Sequence, residues 1–368
     1  MDTNCNRFFL LGRKHPLLID ETNLIYYKHG KVCSLDLSTH HSQLICHLSM
    51  PLYKKLFSYV RITERTLRLE PRCVASVGKG GFIFSYSGSI HYVDLEKKQC
   101  RTEHRYRDGM SNALQFVPIH DVPGFDDAIV YGEYWKNAKR EPVRVFARKN
   151  GTWEAVYTFP KNTIKHIHGF VPDPYRQCVY ILTGDKEEES GIWVAKNNFK
   201  EVEPLLVGKR EYRACIGLAD EQGLVFATDN PFATNHLRFA SLSDAGNVSD
   251  VKDIMETNGP CIYGTDWNGK LVLSTSIEQD YSKHRNKVSA VFSRKLGGGT
   301  KSYETVVYVG NKQTGFFELV RYKKDFWPMG LCAFGTVQFP QEMNPDVLCL
   351  YPVSVKKYDG RAVMFKEQ

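Results

Sequence analysis

The sequence predicts an all-β protein, a single β-propeller of about seven four-stranded blades. Short runs rich in Val, Ile, Tyr and Phe, bounded by Gly, Asn, Asp and Pro, repeat along the whole chain, whereas helical patterns are scarce. Pairs such as Asn150-Gly151 and Asn268-Gly269 supply the positive φ angles of tight hairpin turns. The strands fall into units of about 40 to 50 residues, which is the length of one propeller blade.

The predicted units divide the whole chain. They cover residues 20–50, 70–105, 110–160, 163–207, 210–253, 254–322 and 328–366. The segment from Phe8 to Leu11 is expected to supply a strand that closes the ring against the last unit. Six blades are the alternative, because the unit at 254–322 is long and the first unit is poorly defined. No Pro-rich, Ser-rich or low-complexity linker interrupts the chain, so residues 1–368 are predicted to form one domain.

One helix is predicted as an insertion between the first two units. Residues 52–69 place apolar side chains at helical spacing and are followed by Pro71. We expect this apolar side to pack against the propeller. It consists of Leu52, Leu56, Tyr59, Val60, Thr63 and Leu67.

The composition is that of a globular protein without a membrane anchor. Hydrophobic residues make up 42% and charged residues 24% of the chain, and no segment approaches the roughly 18 consecutive apolar residues of a membrane-spanning helix. The first residues lack the basic and long apolar regions of a secretion signal. The ten cysteines include no Cys-x-x-Cys pair and mostly stand among apolar residues, which indicates reduced thiols. These features predict a cytoplasmic protein.

The charge balance is compatible with an anionic partner. The chain carries 49 Lys and Arg against 41 Asp and Glu, a net charge of +8. The basic residues do not form a long block, and no helix-turn-helix, zinc-finger or RNA-recognition motif is present, so nucleic acid is not the expected partner. An acidic glycan satisfies the same electrostatics. The sequence does not indicate an oligomeric state.

Polar and aromatic side chains are concentrated where predicted strands end. A fold that arranges strand ends around one axis would gather these side chains into a single pocket. The candidate catalytic residues are Glu133, His166, His168, Asp229 and Glu278. The candidate substrate-binding residues are Tyr134, Arg144, Tyr175, Asp185, Tyr212 and Arg213.

His166 and His168 are two residues apart on a predicted strand, so both imidazoles should project from one face, roughly 6.5 to 7 Å apart. Three roles stay open for them. They are ligands of a divalent metal, one of them transfers a proton of a sugar substrate, or both orient neighbouring blades through hydrogen bonds. Apart from this metal, no cofactor is expected.

Glu133 follows a predicted apolar strand and can act as an acid, a base or an acceptor for sugar hydroxyls. Glycoside hydrolysis needs two carboxyl groups, about 5 Å apart for retention and about 6.5 to 9.5 Å for inversion. Asp185, Asp229 and Glu278 are the available partners on other blades, and the sequence does not choose among them. Arg213 is suited to bind a carboxylate or sulfate with two parallel hydrogen bonds.

Two segments resemble the Asp-box hairpin of sialidase-like propellers, which are also called BNR-repeat proteins. They are Ala147-Arg148-Lys149-Asn150-Gly151-Thr152-Trp153 and Ala195-Lys196-Asn197-Asn198-Phe199-Lys200-Glu201. In that family the box is a structural turn on the outer rim of a blade. Neither copy keeps the aspartate of the motif. The Arg-Ile-Pro motif that true sialidases carry near their first strand is also missing from this sequence.

Most of residues 110–340 also resemble poorly characterised Asp-box proteins that carry a glycosyl-hydrolase label and are associated with polysaccharide loci. The resemblance implies a carbohydrate-active propeller that binds, and in the favoured interpretation cleaves, an acidic polysaccharide or oligosaccharide. Hydrolysis is the first hypothesis. The second is a lyase that uses His and Tyr for β-elimination on a uronic-acid glycan, and the third is a non-catalytic propeller that binds glycan or protein.

Overall fold

Seven antiparallel sheets of four strands each form a ring, which confirms the predicted propeller and its blade number. The computed structural model describes residues 5–20, 22–78, 80–280, 291–341 and 346–367. Within the first six sheets the strands follow one another in chain order, with the first strand innermost, where it packs against the first strands of neighbouring blades.

The first four blades begin at His15, Val74, Val117 and His166, all within seven residues of the predicted starts at 20, 70, 110 and 163. Blade 1 contains β2 (His15–Asp20), β3 (Asn23–Lys28), β4 (Lys31–Asp36) and β5 (Ser42–His47), and blade 2 contains β6 (Val74–Ser76), β7 (Gly81–Tyr86), β8 (Ser89–Asp94) and β9 (Gln99–Arg105). Blade 3 contains β10 (Val117–Ile119), β11 (Ala128–Gly132), β12 (Val143–Lys149) and β13 (Thr152–Phe159), and blade 4 contains β14 (His166–Asp173), β15 (Cys178–Gly184), β16 (Gly191–Lys196) and β17 (Glu201–Val207).

The last three blades complete the ring, and the seventh takes its fourth strand from the N-terminal part of the chain. Blade 5 contains β18 (Ala214–Asp220), β19 (Gly223–Thr228), β20 (His236–Leu242) and β21 (Val248–Glu256), and blade 6 contains β22 (Cys261–Trp267), β23 (Lys270–Thr275), β24 (Glu304–Asn311) and β25 (Gly315–Lys323). Blade 7 contains β26 (Thr336–Gln338), β27 (Val347–Val353), β28 (Val363–Glu367) and β1 (Cys5–Leu10), so the expected closing strand is confirmed.

Apolar side chains from adjacent sheets interlock between the blades. Between blades 3 and 4, for example, Val145, Phe159, Ile167 and Ile181 are all buried in one cluster. Burying a side chain of this size contributes about 1.5 to 3 kcal/mol, so each interface between blades stabilises the ring. The turns that resemble the Asp-box join the third and fourth strands of blades 3 and 4, at the outer side of each blade.

Among the described residues no helix is both long enough and apolar enough to cross a membrane. The cysteines from Cys33 to Cys349 are free thiols, and all of them except Cys33 and Cys100 are buried.

The predicted helix over residues 52–69 was wrong in two respects. The segment forms two short helices, α1 (Leu52–Phe57) and α2 (Arg61–Thr66), with a break between them. The apolar side faces solvent, with Leu52 73% and Leu56 62% exposed. A third short helix, α3 (Met329–Cys332), precedes blade 7.

The polar side of α2 is buried instead, because it carries charges that pair with blade 7. Arg61 lies 2.9 Å from carboxylate oxygens of both Glu64 and Glu70, and 3.2 Å from Asp359. Arg65 lies 2.7 Å from Asp325 and 3.0 Å from Asp359. An ion network rather than an apolar stripe therefore holds the insertion against the ring.

Removing one member of this network leaves buried charges without a partner. We expect Arg61→Ala to lower the free energy of unfolding by about 3 to 5 kcal/mol, which urea unfolding can measure. Arg105→Ala is the control, since Arg105 is exposed on β9, and should change stability by less than about 0.5 kcal/mol. Equal effects of the two substitutions would show that the network does not hold the insertion.

Candidate functional site at the channel mouth

The mouth of the central channel is built from two sets of strand ends. In each blade the first strand runs away from this mouth and the second strand returns to it, so beginnings of first strands and ends of second strands lie side by side. A cavity of about 630 Å³ opens there. Its lining includes His15, Arg68, Arg72, Gln115, Tyr134, Trp135, Lys165, His166, Asp185 and Tyr263.

His166 and His168 lie at the beginning of β14. A β-bulge inserts His168 as an extra residue between Ile167 and Gly169. The two imidazoles converge, with their Nε2 atoms 3.1 Å apart and their ring centroids 5.0 Å apart. They are closer than the strand spacing predicts because both rings turn toward one carboxylate, that of Asp185.

Gly184, on the neighbouring strand, provides the room for this approach. A Cβ atom at Gly184 would lie 2.5 Å from Cε1 of His168, which is too close for a real contact. The two imidazoles can therefore approach each other in this way only if residue 184 has no side chain.

Backbone carbonyl groups determine which nitrogen of each imidazole faces the other ring. Nδ1 of His166 lies 3.1 Å from the carbonyl oxygen of Trp135, and Nδ1 of His168 lies 3.1 Å from that of Ala214. A carbonyl oxygen only accepts, so each Nδ1 carries a proton and donates it. Burial lowers the pKa of His166, which favours its neutral form. Its Nε2 lone pair then points at Nε2 of His168, and a proton or a metal cation must lie between them.

Asp185 completes a triangle with the two imidazoles. Its Oδ1 atom lies 3.3 Å from Nε2 of His166 and 3.7 Å from Nε2 of His168. Arg213 approaches the same oxygen at 3.2 Å, and Lys165 forms an ion pair with Oδ2. Burial alone would raise the pKa of Asp185, but the close approach of the His166 and His168 imidazoles and the charge of Arg213 hold it well below its usual range.

Arg213 connects this triangle to a buried layer beneath it. The Nη2 atom of Arg213 lies 2.9 Å from Oδ2 of Asp229, whose Oδ1 atom is buried without a hydrogen-bond partner. Glu278 is also buried and accepts a hydrogen bond of 3.0 Å from Ser276. Burial and the nearby charge of Asp229 raise the pKa of Glu278 to about 8. Glu278 is therefore largely protonated at neutral pH.

The triangle of His166, His168 and Asp185 fits a divalent metal. All three donor atoms lie within 4.8 Å of one another. Neighbouring donors on a metal with bonds of about 2.1 Å are about 3.0 to 3.4 Å apart, close to the separations found here. Imidazole and carboxylate donors suit Mn²⁺, Fe²⁺, Co²⁺ and Zn²⁺, and the carbonyl groups that accept from Nδ1 are the outer contacts that metal-bound histidines use.

A second group of donors, His168, Cys215 and Asp229, fits a metal less well. The thiol of Cys215 lies 3.5 Å from Nδ1 of His168, but that nitrogen already donates to the Ala214 carbonyl. Burial and the charge of Asp229 raise the pKa of Cys215 well above its ordinary value, so the thiol keeps its proton. The first group is the candidate metal centre.

Tyr134 covers the metal centre on the cavity side. Its ring centroid is 4.2 Å from that of His166. Burial and the charge of Asp185 raise the pKa of Tyr134 above its ordinary value, so the phenol is neutral at physiological pH. Trp135 follows it in the cavity wall, with the guanidinium group of Arg107 stacked 4.1 Å from the indole. The centre thus has an aromatic wall and a hydroxyl group at its edge.

The structure brings together seven of the predicted site residues, which come from blades 3 to 6 and from the segment that precedes blade 5. They are Tyr134, His166, His168, Asp185, Arg213, Asp229 and Glu278.

Glu133 and Arg144 form a separate ion pair outside the cavity lining. Glu133 is 1% exposed, and its carboxylate lies 2.7 Å from Arg144 and 3.1 Å from Arg107. It also accepts from the backbone N–H group of Arg144 at 2.9 Å. A carboxylate with these partners fixes the end of blade 3 and is not free to meet a ligand.

Tyr175 lies at the opposite end of the channel, which corrects its assignment to the site. The strand β14 begins at the mouth and ends at Asp173, about 23 Å away at about 3.3 Å for each residue. Tyr175 follows in the hairpin turn and is 53% exposed. Tyr212 packs against the apolar cluster between blades 4 and 5 and does not line the cavity.

Sequence reasoning missed His15 and Glu70. Nδ1 of His15 lies 3.2 Å from Oε1 of Glu70, and both residues line the cavity. His15 begins β2, a strand that precedes the predicted start of the first unit at residue 20. The apolar run Leu17-Leu18-Ile19 was the available signal. Arg68 and Arg72, between α2 and β6, were missed as well.

Comparison with solved structures supports the fold. The chain is similar to the WD40 β-propeller domain of Doa1, with a TM-score of 0.56 and 9% identity over 100% of this chain and 98% of that chain. An oligogalacturonate lyase from Vibrio parahaemolyticus gives a TM-score of 0.53 and 10% identity over 99% and 90% of the two chains. An oligogalacturonate lyase in complex with manganese gives a TM-score of 0.55 and 10% identity over 99% and 90%. Such identities show a shared fold alone.

No family model matches the sequence, and no curated protein matches it. Membership of the sialidase-like family therefore stays a prediction.

The raised pKa of Glu278 predicts a specific pH dependence of stability. The ordinary carboxyl value is 4.5 and the folded value is about 8, so between them the folded protein holds a proton that the unfolded chain releases. The contribution of Glu278 to the free energy of unfolding is therefore most favourable at low pH, and it is lost as pH rises toward 8. In EDTA, Glu278→Gln should gain up to about 4 kcal/mol over wild type between pH 5 and pH 8, measured by urea unfolding.

Glu154→Gln is the control, because Glu154 is exposed on the outer strand β13. It should leave the pH profile of unfolding unchanged. Parallel profiles for Glu278→Gln and wild type would mean that Glu278 is ionised in the folded protein.

Proposed function

We propose that the protein is a carbohydrate lyase, which binds an acidic glycan at the channel mouth and cleaves it by metal-assisted β-elimination. The observation that carries this proposal is the convergence of His166, His168 and Asp185 at the floor of an open cavity. A divalent cation at such a centre would attract an anionic group, because Lys165 and Arg213 already balance the nearby carboxylates.

β-Elimination on a uronic acid removes the proton at C5, beside the carboxylate. The electron pair of that C–H bond forms the C4–C5 double bond, and the bond from C4 to the glycosidic oxygen breaks. The departing oxygen takes up a proton. A divalent cation held by His166, His168 and Asp185 would neutralise the uronate carboxylate and so acidify the C5 proton.

His15 is the proposed base for the C5 proton. It lines the same cavity as the metal centre, and Glu70 lies 3.2 Å from its Nδ1 atom. A carboxylate at Nδ1 keeps that nitrogen protonated and leaves Nε2 as the proton acceptor. Glu70 is well suited to this role, since Arg61 and His15 overcome the effect of burial and keep the pKa of Glu70 below its usual range.

Tyr134 is the proposed acid for the departing oxygen. Its phenol is neutral and lies at the edge of the metal centre, with its ring against His166. A neutral phenol can donate its proton in the step that breaks the glycosidic bond and can recover one from solvent afterwards.

Hydrolysis by two carboxyl groups has less support from the described residues. Of the carboxylates that line the cavity, Glu64 and Glu70 pair with Arg61, and Asp185 is engaged by two imidazoles and two cations. Asp229 and Glu278 lie beneath the cavity lining. A hydrolase needs two carboxyl groups that reach opposite sides of one bond. Two of the structurally similar propellers are oligogalacturonate lyases, which also favours a lyase by analogy at the level of the fold.

The first test is turnover with and without metal. Uronic-acid oligosaccharides should yield an unsaturated product, detected by ultraviolet absorbance, together with new reducing ends. Treatment with EDTA should abolish the reaction, and Mn²⁺ should restore it. New reducing ends without the absorbance would indicate hydrolysis, and metal binding without any turnover would indicate a binding protein; either result would overturn the lyase proposal.

His166→Ala/His168→Ala tests the metal centre directly. We expect the double variant to lose bound Mn²⁺, measured by elemental analysis, and to lose turnover by more than about 100-fold. The matched control is His40→Ala/His41→Ala, which removes two exposed histidines and should keep both properties. Full metal content in the His166/His168 variant would contradict the assignment of the centre.

His15→Asn and Tyr134→Phe test the proton transfers. Each should lower kcat by about 100- to 10,000-fold while metal content stays at the wild-type level. A role in binding alone would instead raise KM at unchanged kcat. The pH profile of kcat/KM should lose one of its two limbs in each variant.

A further inference from the structure

Two arginines line the cavity without a carboxylate partner among the described residues. Arg68 and Arg72 lie on the segment between α2 and β6, and both line the cavity. Nη1 of Arg72 donates a hydrogen bond of 3.1 Å to the hydroxyl oxygen of Tyr263. Neither guanidinium group forms an ion pair with any carboxylate in the part of the chain that the structure describes.

Most other charged groups of the cavity lining are neutralised within the protein. Arg65 pairs with Asp325 and Asp359. Glu64 and Glu70 share Arg61, and Lys165 pairs with Asp185, so each of these charged groups already has a partner within the protein. The positive charge that is left belongs to Arg68 and Arg72, with Lys136 beside them in the lining.

Arg68 and Arg72 lie close enough for their like charges to repel each other. Partial burial and then the charge of Arg72 lower the pKa of Arg68, the sign of two cations held close together. Such an arrangement is typical of a site where an anionic ligand supplies the missing charge. Tyr134, which covers the candidate metal centre, lines the same cavity as Arg68 and Arg72. The two arginines and the metal centre thus belong to one cavity.

We propose that Arg68 and Arg72 form a second anion-binding subsite, which holds the carboxylate of the sugar next to the one at the His166, His168 and Asp185 centre. This inference rests on the proposed function and deepens it, because it defines the substrate as an oligosaccharide with at least two acidic residues. A cavity of about 630 Å³ is large enough for a ligand of more than one ring. Guanidinium groups bind carboxylates through paired hydrogen bonds, which adds selectivity over neutral sugars.

The test is Arg68→Gln/Arg72→Gln in the Mn²⁺-loaded protein, with binding measured by calorimetry. The probes are trigalacturonate and trimannuronate, the monosaccharide galacturonate, and the neutral trisaccharide maltotriose. We expect the double variant to bind at least one acidic trisaccharide about 10- to 100-fold more weakly than wild type. Galacturonate, which occupies only the metal centre, should change by less than about 2-fold.

Two further variants control for charge and for folding. Arg101→Gln/Arg105→Gln removes the same charge from exposed positions on β9 and should leave all affinities unchanged. Arg68→Lys/Arg72→Lys keeps the charge and loses the paired hydrogen bonds, so its affinity should lie between wild type and the Gln variant. Mn²⁺ content should be the same in every variant.

Three results would overturn the subsite. These are an unchanged trisaccharide affinity in the Gln variant, an equal loss for galacturonate, or no binding of either acidic trisaccharide to wild type. Failure of the proposed function has a different signature. In that case wild type binds an acidic trisaccharide in a manner that depends on Arg68 and Arg72, but no unsaturated product forms.

Discussion

The pairing of β1 with β28 holds the seven blades in a ring, and every contact at the channel mouth depends on that ring. His166 reaches Asp185 within one blade, but Arg213 reaches it from the segment that begins the next blade, and Arg61 reaches Asp359 across almost the whole length of the chain. The contacts of Arg213 and Arg61 do not survive a change in the relative positions of the blades. Closure therefore supplies the rigidity that a site assembled from separate loops requires.

Charge rather than apolar burial shapes the wall of the cavity. The α2 helix turns Arg61 and Arg65 inward and leaves its apolar neighbours in solvent, because the carboxylates of Asp325 and Asp359 are available only on the ring side. Buried ion pairs contribute little net stability, yet their geometry is demanding. In this protein they orient the segment that carries Glu70, Arg68 and Arg72 toward the metal centre. The inserted segment thus forms part of the cavity wall.

Much of the fold could be predicted from the sequence, because hairpin turns and alternating strands are local signals. Asn150-Gly151 is such a turn, with both residues at positive φ. The direction of the strands was not used, although it separates the two ends of the channel and would have removed Tyr175 from the site. Helical spacing at 52–69 was a correct signal for helix, but it does not tell which side is buried when the opposite side carries paired charges.

The ion pairs of the site residues were less predictable from the sequence, because they depend on tertiary packing. Whether Glu133 is free or bound depends on Arg107, a residue 26 positions away whose approach is a result of tertiary packing. His15 and Glu70 are likewise separated by the whole of blade 1. Sequence spacing indicates which residues share a strand end, as it did for His166 and His168. It carries no information on which charges neutralise one another across blades, and that pairing decides which groups remain for a ligand.

The buried layer beneath the metal centre links metal binding to protons. Asp185 and Asp229 face Arg213 and Lys165, so these four groups balance in charge, and Glu278 adds no charge at neutral pH because burial and Asp229 raise its pKa to about 8. A divalent cation at His166, His168 and Asp185 would add two positive charges above this layer. Their field favours the ionised form of Glu278 and so lowers its pKa. Metal binding would then release protons and strengthen as pH rises toward 8. In the proposed metal-bound state, Glu278 would supply negative charge to a centre that has only one carboxylate ligand.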